Sequence, residues 1–230
     1  MRFRGRLVKG IFLERPNRFL GIVRTPSGEA ECFVPNSGRL TELLAPGAPV
    51  YLRKNVSPGR KTRWDLVLAC RGSVLVSVDT RAVNRLVPEA IRLGTIPSLR
   101  GLEPVRAEFP FRGSRLDFLM RDGEQQVLLE AKSCTLVEDG VALFPDAPTA
   151  RGRRHLETLG QATLAGMGAM VTFVIQREDA EIFSPNDSTD PGFCRAFRRA
   201  LAAGVTACAF TCRVRKSGVT PRREIPVAIP

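Results

Sequence analysis

At 230 residues with 43% hydrophobic side chains, the chain is long enough to bury one large core or two modest ones, and its composition gives no support to disorder. No apolar run approaches the roughly 18 residues of a membrane helix, and the basic start MRFRGRLVKGIFLERPNRFL lacks the apolar stretch and cleavage site of a signal peptide, so a cytoplasmic location is expected. A net charge of +12 with a pI near 10.4 points to a polyanionic partner such as nucleic acid, although 30 of the 35 basic residues are Arg, a bias that a GC-rich genome also produces.

The first third alternates in short apolar and polar runs, RFRGRLVKGIFLE, RFLGIVRT, EAECFVP, APVYLRK, RWDLVLAC and SVLVSVD, separated by turn-rich stretches such as PSG and NVSPGRK. Close-spaced strands of this kind predict a small five-stranded OB-like barrel over residues 1–80. The charge is concentrated there, with 14 Lys or Arg against 6 Asp or Glu, whereas residues 81–230 hold 21 against 17. Such barrels hold single strands with a basic groove and aromatic stacking platforms. Most of the six rings Phe3, Phe12, Phe19, Phe33, Tyr51 and Trp64 are expected to fill the barrel. Phe19, Tyr51 and Trp64 have basic neighbours, and with Arg18, Arg39, Arg53 and Lys54 they form the expected nucleic-acid-binding set.

Composition changes at DTRAVNRLVPEAIRLG, where Thr80 is placed to cap a helix, Pro88 to open a turn or kink it, and Gly94 to end it. A second domain over 81–230 follows. Its pattern predicts strands at 104–109, 115–121, 126–132 and 134–144 (with a turn at EDG), a helix at 149–165, a strand at 169–176, a helix at 191–203 and a strand at 205–214. Hairpins followed by alternating helix and strand describe a mixed sheet flanked by helices, an α/β arrangement. FSPNDSTDPG reads as the longest loop. A helix-turn-helix at FCRAFRRALAAGVTACAFTCRVR competes with the strand at 205–214, but the alternation of VTACAFTCRV favours the strand. That strand would turn Cys208 and Cys212 to one face as buried small apolar residues. Six cysteines without CxxC spacing and a single histidine, His155, leave a structural zinc site short of well-spaced ligands.

The stretch SRLDFLMRDGEQQVLLEAKS sets Asp117, Glu130 and Lys132 among residues that otherwise read as buried strands. Side chains alternate along a strand, so Glu130 and Lys132 share a face. A four-residue loop at 122–125 would place Asp117 directly opposite Glu130; a two-residue loop at Asp122 and Gly123 would place it opposite Leu128, with Glu130 diagonal. Either register gathers all three charges. Two facing carboxylates repel and need a cation, which Lys132 or a divalent metal would supply. Mg²⁺, or Mn²⁺ in its place, is held by one or two carboxylates plus phosphate and water, which matches this inventory. The structural alternative is a buried Asp/Glu/Lys ion network.

SRLDFLM followed by VLLEAKS, with a Glu on the preceding helix, resembles the PD-(D/E)xK nuclease signature, matched at Asp117, Glu130 and Lys132. The ordered set RFLGIV, VPNSGRL, NRLVPEAI, SRLDFLM, LEAKSCTL and FPDAPTARGRRHLETL resembles the sugar fermentation stimulation protein A family of bacteria and archaea over nearly the whole chain. The resemblance implies an OB-like domain joined to a restriction-endonuclease-like domain, DNA binding with little sequence preference, and a regulatory role in sugar (maltose) metabolism. It also implies a metal role for a helix Glu, which Glu89 would fill unless it is a surface residue; Glu108, ending the first strand of the second domain, is another candidate. Asp146 is placed to cap a helix or hold Arg151, while Arg151, Arg153, Arg154 and His155 lie in the first turns of that helix, where they would meet a phosphate. Two functions therefore compete: a metal-dependent phosphodiesterase and a non-cleaving DNA-bound regulator.

Overall fold

The computed structural model describes residues 1–3, 5–56 and 58–229. Six strands come first: β1 (Leu7–Asn17), β2 (Leu20–Thr25), β3 (Gly28–Phe33), β4 (Pro49–Lys54), β5 (Trp64–Arg71) and β6 (Val74–Ser77). They are ordered β3-β2-β1-β4-β5-β6, and β3 also pairs in parallel with β5 through Cys32–Trp64 and Phe33–Asp65, which closes the first five strands into the expected OB-like barrel. Closure needs sharp bending, and β1 supplies it with register shifts between Phe12 and Asn17. Gly10 allows β2 to approach: a Cβ there would lie 2.3 Å from the Val23 side chain. The interior is filled by Phe12, Val23, Val50, Leu52, Leu66 and their neighbours.

A 3-10 turn at Thr80–Ala82 leads into α1 (Val83–Leu93). The turn is capped by Asp79, whose carboxylate accepts from the Arg81 amide, not by Thr80, whose hydroxyl instead donates to the Pro35 carbonyl at 3.0 Å. Val83, Leu86, Val87 and Ala90 are buried at helical spacing, Pro88 lies within the helix, and Gly94 ends it in the left-handed region at φ 61°.

The remaining elements are β7 (Glu103–Phe111), β8 (Ser114–Asp122), β9 (Gln125–Cys134), β10 (Leu136–Glu138), β11 (Val141–Phe144), α2 (Ala150–Leu164), β12 (Gly168–Ile175), β13 (Ile182–Pro185), α3 (Pro191–Ala202), β14 (Thr206–Arg215) and β15 (Gly218–Ile225). Six of them form a mixed sheet ordered β15-β14-β12-β9-β8-β7, in which β12 runs parallel to both β9 and β14. The crossovers carry α2 and α3, whose Leu159, Phe193 and Phe197 join Leu128, Val171 and Phe173 in one core. A small sheet, β10-β11-β13, lies beside it.

Residues 206–215 form the expected strand with Cys208 and Cys212 both buried, so the competing helix-turn-helix is excluded. The loop FSPNDSTDPG begins with strand residues, since β13 pairs in parallel with β11. The opposite face of the large sheet, which carries α1, is covered by the barrel as well. Tyr51, Val67 and Leu68 from β4 and β5 share one core with Leu86, Ala90, Met120, Leu129 and Phe210. Tyr51 is thus buried, contrary to its expected role as an exposed stacking ring. No helix among the described residues is long and apolar enough to cross a membrane.

Candidate functional site

The β8–β9 hairpin adopts the register that faces Asp117 with Glu130: Arg121 pairs with Gln126 and Phe118 with Leu129, although the loop tightens to Gly123 and Glu124. Beyond Phe118 the ladder is replaced by side chains. The Ala131 amide donates to Asp117 Oδ2 at 2.8 Å, and the Asp117 amide donates to Glu130 Oε2 at 3.3 Å. Each carboxylate therefore takes a backbone donor from the opposite strand, which fixes both without consuming a side chain.

Glu130 Oε1 receives Lys132 Nζ at 2.5 Å and His155 Nδ1 at 2.5 Å. Arg151 Nε donates to His155 Nε2 at 3.3 Å. An arginine nitrogen only donates, so Nε2 carries the lone pair and the proton sits on Nδ1, aimed at Glu130. His155 is 2% exposed and is the residue whose role sequence reasoning missed. The Arg151/His155 spacing of one helical turn was visible, but the face of α2 opposite Glu130 was not.

The two carboxylates are driven apart electrostatically. Burial pushes Glu130 up, but the Lys132 charge and the His155 hydrogen bond outweigh it and hold the group at about 2. Burial and the neighbouring Glu130 charge push Asp117 up to about 6, with the Ala131 amide, Lys132 and Arg151 pulling back.

This constellation lies in a cleft of about 820 Å³ between barrel and sheet, lined on the barrel side by Arg15, Arg18, Asn36, Gly38 and Arg39 and on the other by Arg81, Asn84, Ser133, Asp146 and Arg151. Arg15 is structural: its guanidinium donates to the carbonyls of Arg18, Asn36, Gly38 and Arg39 at 2.6 to 2.8 Å. Asp146 neither caps α2 nor holds Arg151. It reaches the Leu40 amide at 3.4 Å, and only a glycine at position 38 leaves room for it, since a Cβ would sit 2.2 Å from its oxygen. Thr149 caps α2 by accepting from the Gly152 amide at 3.0 Å, which leaves the N-terminal end of the helix at the cleft.

Of the expected nucleic-acid-binding residues, Arg18, Arg39 and Arg151 line the cleft and are exposed. Phe19 is exposed on the β1–β2 turn beside them. Arg53 is instead tied to Asp65 at 3.0 Å, Trp64 is half-buried against the barrel core, and Lys54 and Arg154 are exposed outside the cleft. Arg153 is committed to Asp190 at 2.8 Å. Glu89 does not join the acidic pair. Its carboxylate is taken by the amino group of Met1, and it lines a separate cavity with Arg92 and Arg213. Glu108 lies exposed on the edge strand, paired with Arg115 at 3.6 Å. Among the described residues no group of three or more His, Cys, Asp or Glu is arranged to hold a metal ion, so the acidic set is the pair Asp117 and Glu130.

The chain matches two family models, the SfsA N-terminal OB domain over residues 13–78 and the Sugar fermentation stimulation protein RE domain over residues 81–218. Sugar fermentation stimulation protein homologs from Caldanaerobacter subterraneus subsp. tengcongensis and Acetivibrio thermocellus are similar to it. The first is 40% identical over 97% of each chain and the second 42% identical over 100% of each. The fold superposes on the structure of Pyrococcus furiosus SfsA in complex with Ca²⁺ with a TM-score of 0.92 at 31% identity, covering 100% of this chain and 98% of that one.

Proposed function

The chain belongs to the sugar fermentation stimulation protein family, and from that premise we propose that it binds DNA in the cleft and hydrolyses a phosphodiester there with Mg²⁺ or Mn²⁺ held by Asp117 and Glu130. The observation that carries this reading is the acidic pair itself, set between basic cleft walls, with Asp117 raised to about 6 by burial and by its neighbour. A hard cation offsets that repulsion, and Mg²⁺ takes one or two carboxylates and completes its shell with phosphate and water, so the donor set fits. The Pyrococcus relative was solved with Ca²⁺, another oxygen-seeking cation. When bound, the cation supplies polarisation of a phosphoryl oxygen and a lowered pKa for its water.

The chain's own residues do the rest. Lys132 and His155 hold Glu130 in place, and the Lys132 ammonium would offset charge that develops on a phosphate brought to the pair. Arg18, Arg39, Arg81 and Arg151, with the N-terminal end of α2, offer the phosphates a positive wall. A cytoplasmic location goes with this reading.

A second reading has its own observation. The Lys132 ammonium already offsets the Glu130 charge and His155 hydrogen-bonds the same oxygen, and no third carboxylate joins the pair among the described residues. The cleft would then hold DNA without cutting it, as a regulator of sugar (maltose) metabolism genes does. Incubating the protein with labelled single-stranded and duplex DNA and RNA, in Mg²⁺, Mn²⁺ or EDTA, separates the two. Cleavage is expected with either metal, absent in EDTA and reduced about 100-fold in Lys132→Ala. Metal-independent binding with intact substrate in every arm would assign the regulator.

A further inference from the structure

At the rim of the cleft the β1–β2 turn carries Phe19, which is 49% exposed. Its ring stacks on Phe33 with centroids 6.0 Å apart and planes at 20°, while about half of the residue stays open to solvent. The guanidinium carbons of Arg60 and Arg81 lie 5.1 and 5.7 Å from the Phe33 centroid. Both cations are anchored by Asp65, which is fully buried and accepts from Arg60 at 2.7 Å and Arg81 at 3.3 Å. A buried carboxylate that holds two arginines beside an aromatic pair makes a rigid surface, apolar on top and positive at its edge. Arg81 and Arg18, the residue before Phe19, both line the cleft that ends at Asp117 and Glu130, so this surface is continuous with the acidic site.

We propose that Phe19 is a stacking platform for an unpaired base, and therefore that the nucleic acid entering the cleft is single-stranded where it crosses the barrel. The inference rests on the reading of the cleft as a nucleic-acid site. Inside a duplex both faces of a base are covered by its neighbours, so a side-chain ring reaches only an unpaired base or a strand end. Every base has a π-face and the anchored arginines meet phosphates, so the contact selects strandedness rather than sequence.

The test compares the parent with Phe19→Ala and Phe19→Trp by fluorescence anisotropy, in EDTA, on a fluorescein-labelled oligothymidylate and on a blunt DNA duplex of the same length. Phe19→Ala is expected to weaken single-strand binding by about 5- to 100-fold while duplex binding stays within about twofold. Phe19→Trp is expected to keep the parent affinity, with the emission of the new ring quenched by the bound strand. Unchanged single-strand affinity in Phe19→Ala, or an equal loss on both probes, overturns the platform and leaves the cleft reading standing. A parent that binds neither probe at low salt overturns the cleft reading and the platform with it. A drop in molecular mass of Phe19→Ala on size-exclusion chromatography would instead assign the exposed ring to a second copy of the chain and likewise overturn the proposal.

Discussion

Asp117 and Glu130 sit side by side but respond to pH in opposite senses. Asp117 titrates near 6 in the folded protein, above the usual carboxylate value of about 4. The folded state thus holds that proton longer than the unfolded chain, and stability falls as pH rises from about 4 to 6 and stays low above. Asp117→Asn removes the decline and keeps an oxygen for the Ala131 amide. In EDTA it is expected to raise stability at pH 8 by about 1 to 3 kcal/mol, discounted for partial exposure, and to leave it unchanged at pH 4. Melting temperatures at the two pH values check this. Glu130, held at about 2, contributes stability above its ordinary pKa that is lost as pH falls toward 2. Glu130→Gln strands Lys132 beside a neutral partner in a buried site, and a loss of about 3 to 5 kcal/mol is expected at pH 7 by urea titration. That these two residues come together was legible in the sequence, because strand alternation puts them on one face in either hairpin register; that they face each other directly was decided by the register the structure adopts. The part played by His155 was not legible, because it depends on which face of α2 meets the sheet.

Among the elements, β5 does the most to organise the barrel, because Asp65 sits at the closure point opposite Phe33 and holds Arg53, Arg60 and Arg81. Asp65→Ala leaves Arg53 and Arg60 without their buried counter-charge, while Arg81 keeps Asp79 at 2.7 Å, and a loss of about 3 kcal/mol is expected, with a red shift in the emission of Trp64, which pairs with Cys32 at the same closure. Most strands and all three long helices were legible from alternation and helical spacing. β13 was not, since its four residues IFSP merge into a run of turn formers and it is held by parallel pairing to β11, a non-local contact. β15 was missed as well. Its Pro221 argues against a strand, and is accommodated because β15 is the edge of the sheet and the register shifts between Thr211 and Cys212, where Cys212 meets Pro221. Tyr51 was misplaced for a related reason: alternation tells a covered face from an open one only when the covering element is known.

Across the whole molecule, the barrel and the large sheet bury a common core through Tyr51, Val67, Leu68, Leu86 and Phe210, so they are expected to unfold together. Guanidinium titrations followed by Trp64 fluorescence, which reports the barrel, and by far-UV circular dichroism should give coincident transitions. Separated midpoints would show that each half stands alone. Binding of single strands should weaken with salt, with a log-log slope of roughly −0.7 per phosphate contacted. A slope near zero would remove the arginine wall from the account. The shared core also sets a rule for protein engineering that a division into two family models, at 13–78 and 81–218, does not suggest. A chimera that takes its barrel from one relative and its sheet from another inherits two halves of a single interface. It should fold only when the residues at positions 51, 67 and 68 come with the α1 residues at 86 and 90 they were matched to, so recombination between family members is constrained at the seam and freer at the barrel's far rim.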